Sequence, residues 1–231
     1  MELITEKYHL KSSSLSDLLS KEEIAFLKRK MVRQEFAKGE LLFKEKSYSK
    51  GIYVVRKGKI KIYQTNKNGK QNIVNIYKKG DYFGYRPLLA EEPHPVAAAA
   101  MDNVVLSLIP REVFTELLNQ SSSIAQKLLV NLSKEFSVWI NKMTVFSQYS
   151  VKDRVALSLL ILNEIYKKNA TDLTEVKIVI NRDDFANFVG TAKETLVRML
   201  RFFKDEKIIA TQGTKIFILK HRTLVKMVNS L

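Results

Sequence analysis

The chain contains no cysteine, which excludes disulfides, thiolate-held iron–sulfur clusters and thiol catalysis together. Histidine is nearly as scarce, and His9, His94 and His221 are too far apart in sequence to show metal-ligand spacing. No stretch approaches the roughly 18 apolar residues of a membrane span, and the N-terminus lacks an apolar run flanked by basic residues. A cytoplasmic location with no membrane partner is the expectation. No nucleophile–base constellation is present. The carboxylate pairs Asp183-Asp184 and Glu91-Glu92 fall at a helix start and in a loop, where the helix dipole or solvent accounts for them. No catalytic residue, metal ligand or cofactor is assigned, and the chain is not read as an enzyme. Negative charge is also short: 24 Asp and Glu face 39 Lys and Arg, a formal net charge of +15 that suits a polyanionic partner. The excess is spread, with 24 basic against 15 acidic residues over 1–149 and 15 against 9 over 150–231. Charge alone therefore does not locate a binding domain.

What is present is ordinary in bulk. A hydrophobic fraction of 45% and a charged fraction of 27% fit a globular protein, and 231 residues suit two domains better than one. The most informative stretch is Arg182 to Lys204, RDDFANFVGTAKETLVRMLRFFK. Leu196, Met199, Leu200 and Phe203 fall at i, i+3, i+4 and i+7, the apolar stripe of a docked helix. Lys193, Glu194, Val197, Arg198, Arg201 and Lys204 fall off that stripe. Before it, Phe185, Ala186, Phe188 and Val189 form the inward side of a shorter helix, and Gly190 lets the backbone turn sharply. Two amphipathic helices about a glycine are common, and a charged outer face is usually only solvated. The segment that follows is more specific: Lys207–Thr211, a Gln212-Gly213-Thr214 turn and Lys215–Leu219 read as a β-hairpin wing with Lys215 at its tip. Helix, turn, helix and wing together describe a reader of the DNA major groove.

Taken in order, residues 1–14 show no periodicity and end in a Ser12-Ser13-Ser14 loop. Ser20 and Glu23 have capping-box spacing ahead of Ile24, Leu27 and Met31. From Phe36 to Ile109 the signals are short strands: Ile60 and Ile62 alternate with Lys59 and Lys61, and Asn68-Gly69 marks a hairpin. Gly39, Gly51, Gly58, Gly69 and Gly80 punctuate this region at the spacing of a β-sandwich or barrel. Val104–Ile109 is its expected last strand, and Ala97–Ala100 a strand of small side chains. Pro110 opens a short helix to Leu118. A long helix follows, from the Ser121–Ser123 signals to about Thr144, with Ile124, Leu128, Leu132, Val138, Trp139 and Met143 as its apolar positions. It is either a dimer seam, the favoured reading, or a helix packed on its own β-domain; Asn131 and Ser137 interrupt the pattern. Ser150 caps a helix from Val151 to about Lys168 with Val155, Leu159, Leu162 and Ile165 inward. Asn169–Glu175 is a loop and Val176–Ile180 a short strand. The fold class is α+β: an N-terminal double-stranded β-helix (β-roll or jelly-roll) domain over 1–120, a long dimerisation helix and hinge over 121–149, and a winged helix-turn-helix domain over 150–231.

This sequence resembles the Crp/Fnr family of bacterial transcription regulators over nearly its whole length. The resemblance is carried by Lys38-Gly39-Glu40, Tyr53–Gly58 and Gly80-Asp81-Tyr82-Phe83-Gly84, and in the C-terminal domain by Asp153-Arg154-Val155-Ala156 and Ala186 through Arg198. Lys193-Glu194-Thr195 and Arg198 look like the family's Arg-Glu-Thr…Arg signature with lysine for the first arginine. In cyclic-AMP-binding members a glutamate after the Phe-Gly pair holds the ribose, and an Arg-Ser pair further on holds the phosphate. Here Tyr85 stands at the glutamate, His94 at the arginine and Pro95 at the serine. A buried phosphate without such partners is costly, so cyclic AMP is disfavoured. Gly84, Tyr85, Arg86, His94 and Pro95 mark the candidate effector pocket. Either another small molecule binds there, or the β-domain persists only as a body for dimerisation and polymerase contact. Cluster sensing, as in another branch of the family, is excluded by the missing cysteines.

The resemblance further implies a homodimer on double-stranded DNA, paired along the helix over 122–144, with RNA polymerase as a further partner. Base reading is assigned to Lys193, Glu194 and Arg198, because a cation suits guanine O6/N7 and a carboxylate accepts from cytosine N4. Phosphate contacts are assigned to Arg182, Thr191, Thr195, Arg201, Lys215 and the capped helix start at Ser150 and Val151. The alternative is a protein-binding regulatory module with a vestigial DNA-binding domain, which a shallow salt dependence of DNA affinity would reveal.

Overall fold

The computed structural model describes residues 3–9, 19–167 and 176–229. The loops expected at Ser12–Ser14 and Asn169–Glu175 lie outside them. The chain forms two compact units, one of Lys11–Lys134 and one of Met1–Leu10 with Glu135–Leu231. The division falls inside the long helix, and the first residues of the chain join the C-terminal unit.

Helix α1 (Leu3–Tyr8) belongs to that C-terminal unit. Among the described residues of the N-terminal unit the first helix is α2 (Lys21–Lys30), where the capping box forms as its spacing dictates. Ser20 Oγ accepts from Glu23 N–H at 3.2 Å, and the Glu23 carboxylate accepts from Ser20 N–H at 2.7 Å. Eight strands follow: β1 (Val32–Phe36), β2 (Leu41–Phe43), β3 (Gly51–Lys57), β4 (Ile60–Thr65), β5 (Gln71–Tyr77), β6 (Tyr82–Phe83), β7 (Ala97–Ala100) and β8 (Val104–Pro110). They pair antiparallel in two four-stranded sheets, ordered β1-β8-β3-β6 and β2-β7-β4-β5. This is the β-roll that the short, regularly punctuated strands imply.

Strand β3 shows how one sequence serves two cores. Successive side chains point to opposite faces of a strand. Tyr53 and Val55 therefore enter the roll, joining Ile60, Ile62, Tyr77, Phe83, Ala98, Ala100, Val104, Leu106 and Leu108. Ile52 and Val54 face the other way, under a layer of helices. That layer contains α3 (Tyr85–Ala90), α4 (Arg111–Gln120) and the first half of α5 (Ser122–Gln148). All four alanines of β7 are buried, and their small side chains leave the roll interior to aromatic rings.

The long helix corrects the seam assignment. Ile124 and Leu128 are not exposed for a partner; they are buried against Ile52, Val54, Phe114 and Leu117 of their own unit, and Leu132 packs beside them. Val138 is buried as well. The large apolar residues left exposed on α5 are Leu129, Val130, Phe136, Ile140, Met143 and Phe146, from 44% to 70% exposed. Leu129, Phe136 and Met143 stand seven residues apart with Ile140 between the last two, which is coiled-coil spacing; of the expected set, Met143 belongs to this exposed stripe, while Ile124, Leu128 and Val138 do not. Asn131 does not interrupt a seam. It is buried and its Nδ2 donates to Tyr85 Oη at 3.1 Å.

In the C-terminal unit, α6 (Val151–Tyr166) buries Val155, Leu159, Leu162 and Ile165 as its periodicity requires. After β9 (Ile178–Val179) come α7 (Arg182–Val189), α8 (Lys193–Asp205), β10 (Ile209–Gln212), β11 (Lys215–Ile218) and α9 (His221–Asn229). The wing is a three-stranded sheet ordered β10-β11-β9. Strand β10 begins at Ile209 rather than at Lys207, which adopts φ of 54° and lies outside the ladder. Among the described residues, no helix is long and apolar enough to cross a membrane.

Candidate nucleic-acid interface and effector residues

Helix α8 is built as a two-faced rod. Leu196, Leu200 and Phe203 are buried and Met199 is half-buried, while Lys193, Glu194, Val197, Arg198, Arg201 and Lys204 are exposed. The turn that aims this helix depends on Gly190, whose φ is +72° and whose N–H caps α7 by donating to the Ala186 carbonyl. A side chain there would be strained by its backbone and would meet Phe146 Cε1 at 2.7 Å. At the start of α8 the N-cap residue is Ala192, which offers no side-chain acceptor. The first N–H groups of the helix are left for an outside acceptor such as a phosphate oxygen.

The three assigned base readers differ in their freedom. Glu194 and Arg198 make no hydrogen bond or ion pair among the described residues. Lys193 is engaged: its Nζ lies 2.9 Å from a carboxylate oxygen of Asp183 on α7. Arg201 has a loose contact with Asp205 at 3.9 Å, both side chains being well exposed.

The assigned phosphate ligands divide as well. Thr195 is half-buried beside the reading face, and Lys215 stands at the wing turn, in register with Gln212 and Val179. Ser150 caps α6 as expected, accepting from Asp153 N–H at 3.3 Å, and its hydroxyl donates to the Asp153 carboxylate; Val151 follows as the first helical residue. Thr191 is a correction, since it is only 8% exposed and lies in the turn rather than on the surface. Arg182 is another. Its Nη2 donates to the Gly213 carbonyl at 2.9 Å, its Nη1 is buried, and burial lowers its pKa.

The five effector candidates do not gather in one place. Gly84 takes φ of 93° at the start of α3, where a Cβ would lie 3.1 Å from the Gly51 carbonyl oxygen. The next side chain, Tyr85, points into the helix layer with Leu88, Ile124 and Leu128. Arg86 is half-buried, and Pro95 is exposed. His94 is buried and stacks on Phe43, the ring centroids 3.8 Å apart at 12°. Phe43 in turn neighbours Tyr53 and Phe83, which belong to the roll interior. Tyr85 and His94 therefore lie on opposite sides of the β3 sheet. Burial lowers the His94 pKa, and its Nε2 has no hydrogen-bond partner among the described residues. A neutral, stacked imidazole cannot do what a guanidinium does for a phosphate.

Sequence reasoning also missed a contact. Tyr8 and Tyr149 share a hydrogen bond between their hydroxyls at 3.0 Å, and Asn141 Nδ2 donates to the Lys7 carbonyl at 2.9 Å. A six-residue helix with little periodicity gives no signal of where it docks.

Comparison with known proteins agrees with this division. A model of the cyclic nucleotide-binding domain matches residues 33–121, and one of the Crp-like helix-turn-helix domain matches residues 153–227. The fumarate and nitrate reduction regulatory protein of Vibrio cholerae is 25% identical over 225 residues, covering 95% of this chain and 90% of that protein. The transcriptional activator protein Anr of Pseudomonas protegens is 26% identical over 182 residues, covering 79% and 74%. Among solved structures, FixK2 from Bradyrhizobium japonicum superposes with a TM-score of 0.76 at 20% identity, covering 85% of this chain and 96% of that one.

Proposed function

This chain belongs to the Crp/Fnr family of DNA-binding transcription regulators, and on that premise we propose that it acts as a homodimer without cyclic AMP as its effector. The reading rests above all on Glu194 and Arg198, an acid and a base exposed one turn apart on α8, whose side chains make no hydrogen bond or ion pair among the described residues. A carboxylate facing a phosphate backbone is unfavourable unless it accepts from a base or orients a neighbouring cation. Arg198 reads guanine and Glu194 reads cytosine or steadies Arg198. Thr195, Arg201, Lys215 and the α6 start at Ser150 and Val151 hold the backbone.

The exposed Leu129, Phe136, Ile140 and Met143 of α5 supply the dimer seam. Pairing there sets two α8 helices on half-sites about 34 Å apart, one turn of DNA. RNA polymerase is the further partner that activation of transcription requires. For the effector, what supports the reading is the chemistry at the phosphate position: buried His94, its pKa lowered, beside a proline that has no hydroxyl. Without cysteine, no thiolate-held cluster replaces the nucleotide.

Selection of binding sites from random-sequence DNA tests the arrangement. A two-fold symmetric consensus with half-sites one turn apart is expected. Binding with no consensus, and with a shallow salt dependence, would favour a protein-binding module instead.

A further inference from the structure

Arg182 begins α7, where a cation is poorly placed with respect to the helix dipole. Its side chain is half-buried. Nη2 donates to the carbonyl of Gly213 in the wing turn at 2.9 Å, while Nη1 is buried with no hydrogen-bond partner among the described residues. Two residues earlier, Ile180 N–H donates to the Thr214 carbonyl at 3.3 Å. Both carbonyls of the Gly213-Thr214 turn are thus held by the segment that enters α7. Lys215, the wing cation, comes next in the chain.

We propose that Arg182 is a positioning residue for DNA binding: it clamps the wing turn to the start of α7 and so fixes Lys215 relative to the reading helix. The clamp has a clear physical role. A two-residue hairpin turn around a glycine is conformationally permissive by itself, and at Gly213 a Cβ would meet no atom within 4 Å. A charge-assisted hydrogen bond from a half-buried guanidinium orders it before DNA arrives, so that the ordering cost is not taken from binding. A buried Nη1 is also the wrong geometry for a phosphate ligand, which needs donors at the surface.

The experiment uses the full chain and compares Arg182→Met and Arg182→Gln with wild type, the methionine keeping the aliphatic stem. Amide exchange is measured without DNA, and affinity is measured in wild-type and Lys215→Ala backgrounds on a selected site. The expected result is faster exchange confined to residues 211–215 and an affinity loss of roughly three- to tenfold that largely disappears once Lys215 is alanine. Unchanged exchange, with losses that add to those of Lys215→Ala and a salt slope reduced by about 0.9, would make Arg182 a direct phosphate ligand and overturn the proposal. Exchange accelerated throughout the C-terminal unit would overturn it too, by making Arg182 a general stabiliser.

Discussion

Lys193 Nζ and the Asp183 carboxylate lie 2.9 Å apart, joining the start of the reading helix to the first turn of the helix before it. Both side chains are about half exposed or more, so the pair is screened and contributes little to stability. On the proposed reading of DNA its importance is for selectivity. The lysine must leave Asp183 to meet a base or phosphate, and Asp183 repels any backbone that comes close. Asp183→Asn should strengthen non-specific DNA binding by about 1.4- to fivefold, matching the roughly 0.2–1 kcal/mol of an exposed pair. The specific-to-non-specific ratio should narrow. Competition binding with bulk DNA measures both.

The apolar stripe on α5 predicts the oligomeric state. Phe136 is 67% exposed and Met143 70%. Phe136→Glu places a charge in the middle of the proposed seam, and sedimentation should show monomers at concentrations where wild type is dimeric. Ile124→Glu would instead unfold the N-terminal unit, because Ile124 is a core residue.

These two helices show how far the sequence could be read. Periodicity found both, and it assigned the buried face of α8 correctly because only one apolar stripe exists there. On α5 two stripes overlap, one facing the chain's own β-roll and one facing outward. Spacing alone cannot say which is which, since both consist of apolar residues three and four apart. The roll was legible from its glycines and alternation, and the wing from its Gln212-Gly213-Thr214 turn. Contacts between distant segments were not legible. Arg182 has the sequence context of a phosphate ligand, and only the fold brings Gly213 to it; Thr191 looked like a surface hydroxyl until the turn buried it.

The contact of α1 makes a spectroscopic prediction. The Tyr149 phenol has a raised pKa chiefly because of its hydrogen bond with Tyr8. Tyr8→Phe removes that bond, so Tyr149 should ionise at lower pH in an ultraviolet titration. The stability loss should be about 0.5–1.5 kcal/mol.

His94 predicts how the β-roll responds to acid. Burial holds its pKa below the ordinary 6.5, so the folded unit keeps it neutral while the unfolded chain protonates it. The unfolded state then binds more protons, and stability falls as pH drops below about 6.5. With His94→Phe, which retains the stacking on Phe43, the decline in melting temperature between pH 7 and pH 5.5 should shrink. His221, also lowered by burial, leaves a residual slope in the C-terminal unit.

The central claim is that α8 reads bases through Arg198. Titration of Arg198→Ala against a selected site and its single-base variants, at fixed salt, tests it most directly. The predicted result is a loss of about 1–3 kcal/mol on the selected site, with discrimination lost at one position of each half-site and retained elsewhere. Unchanged affinity and an unchanged preference at every position would contradict it.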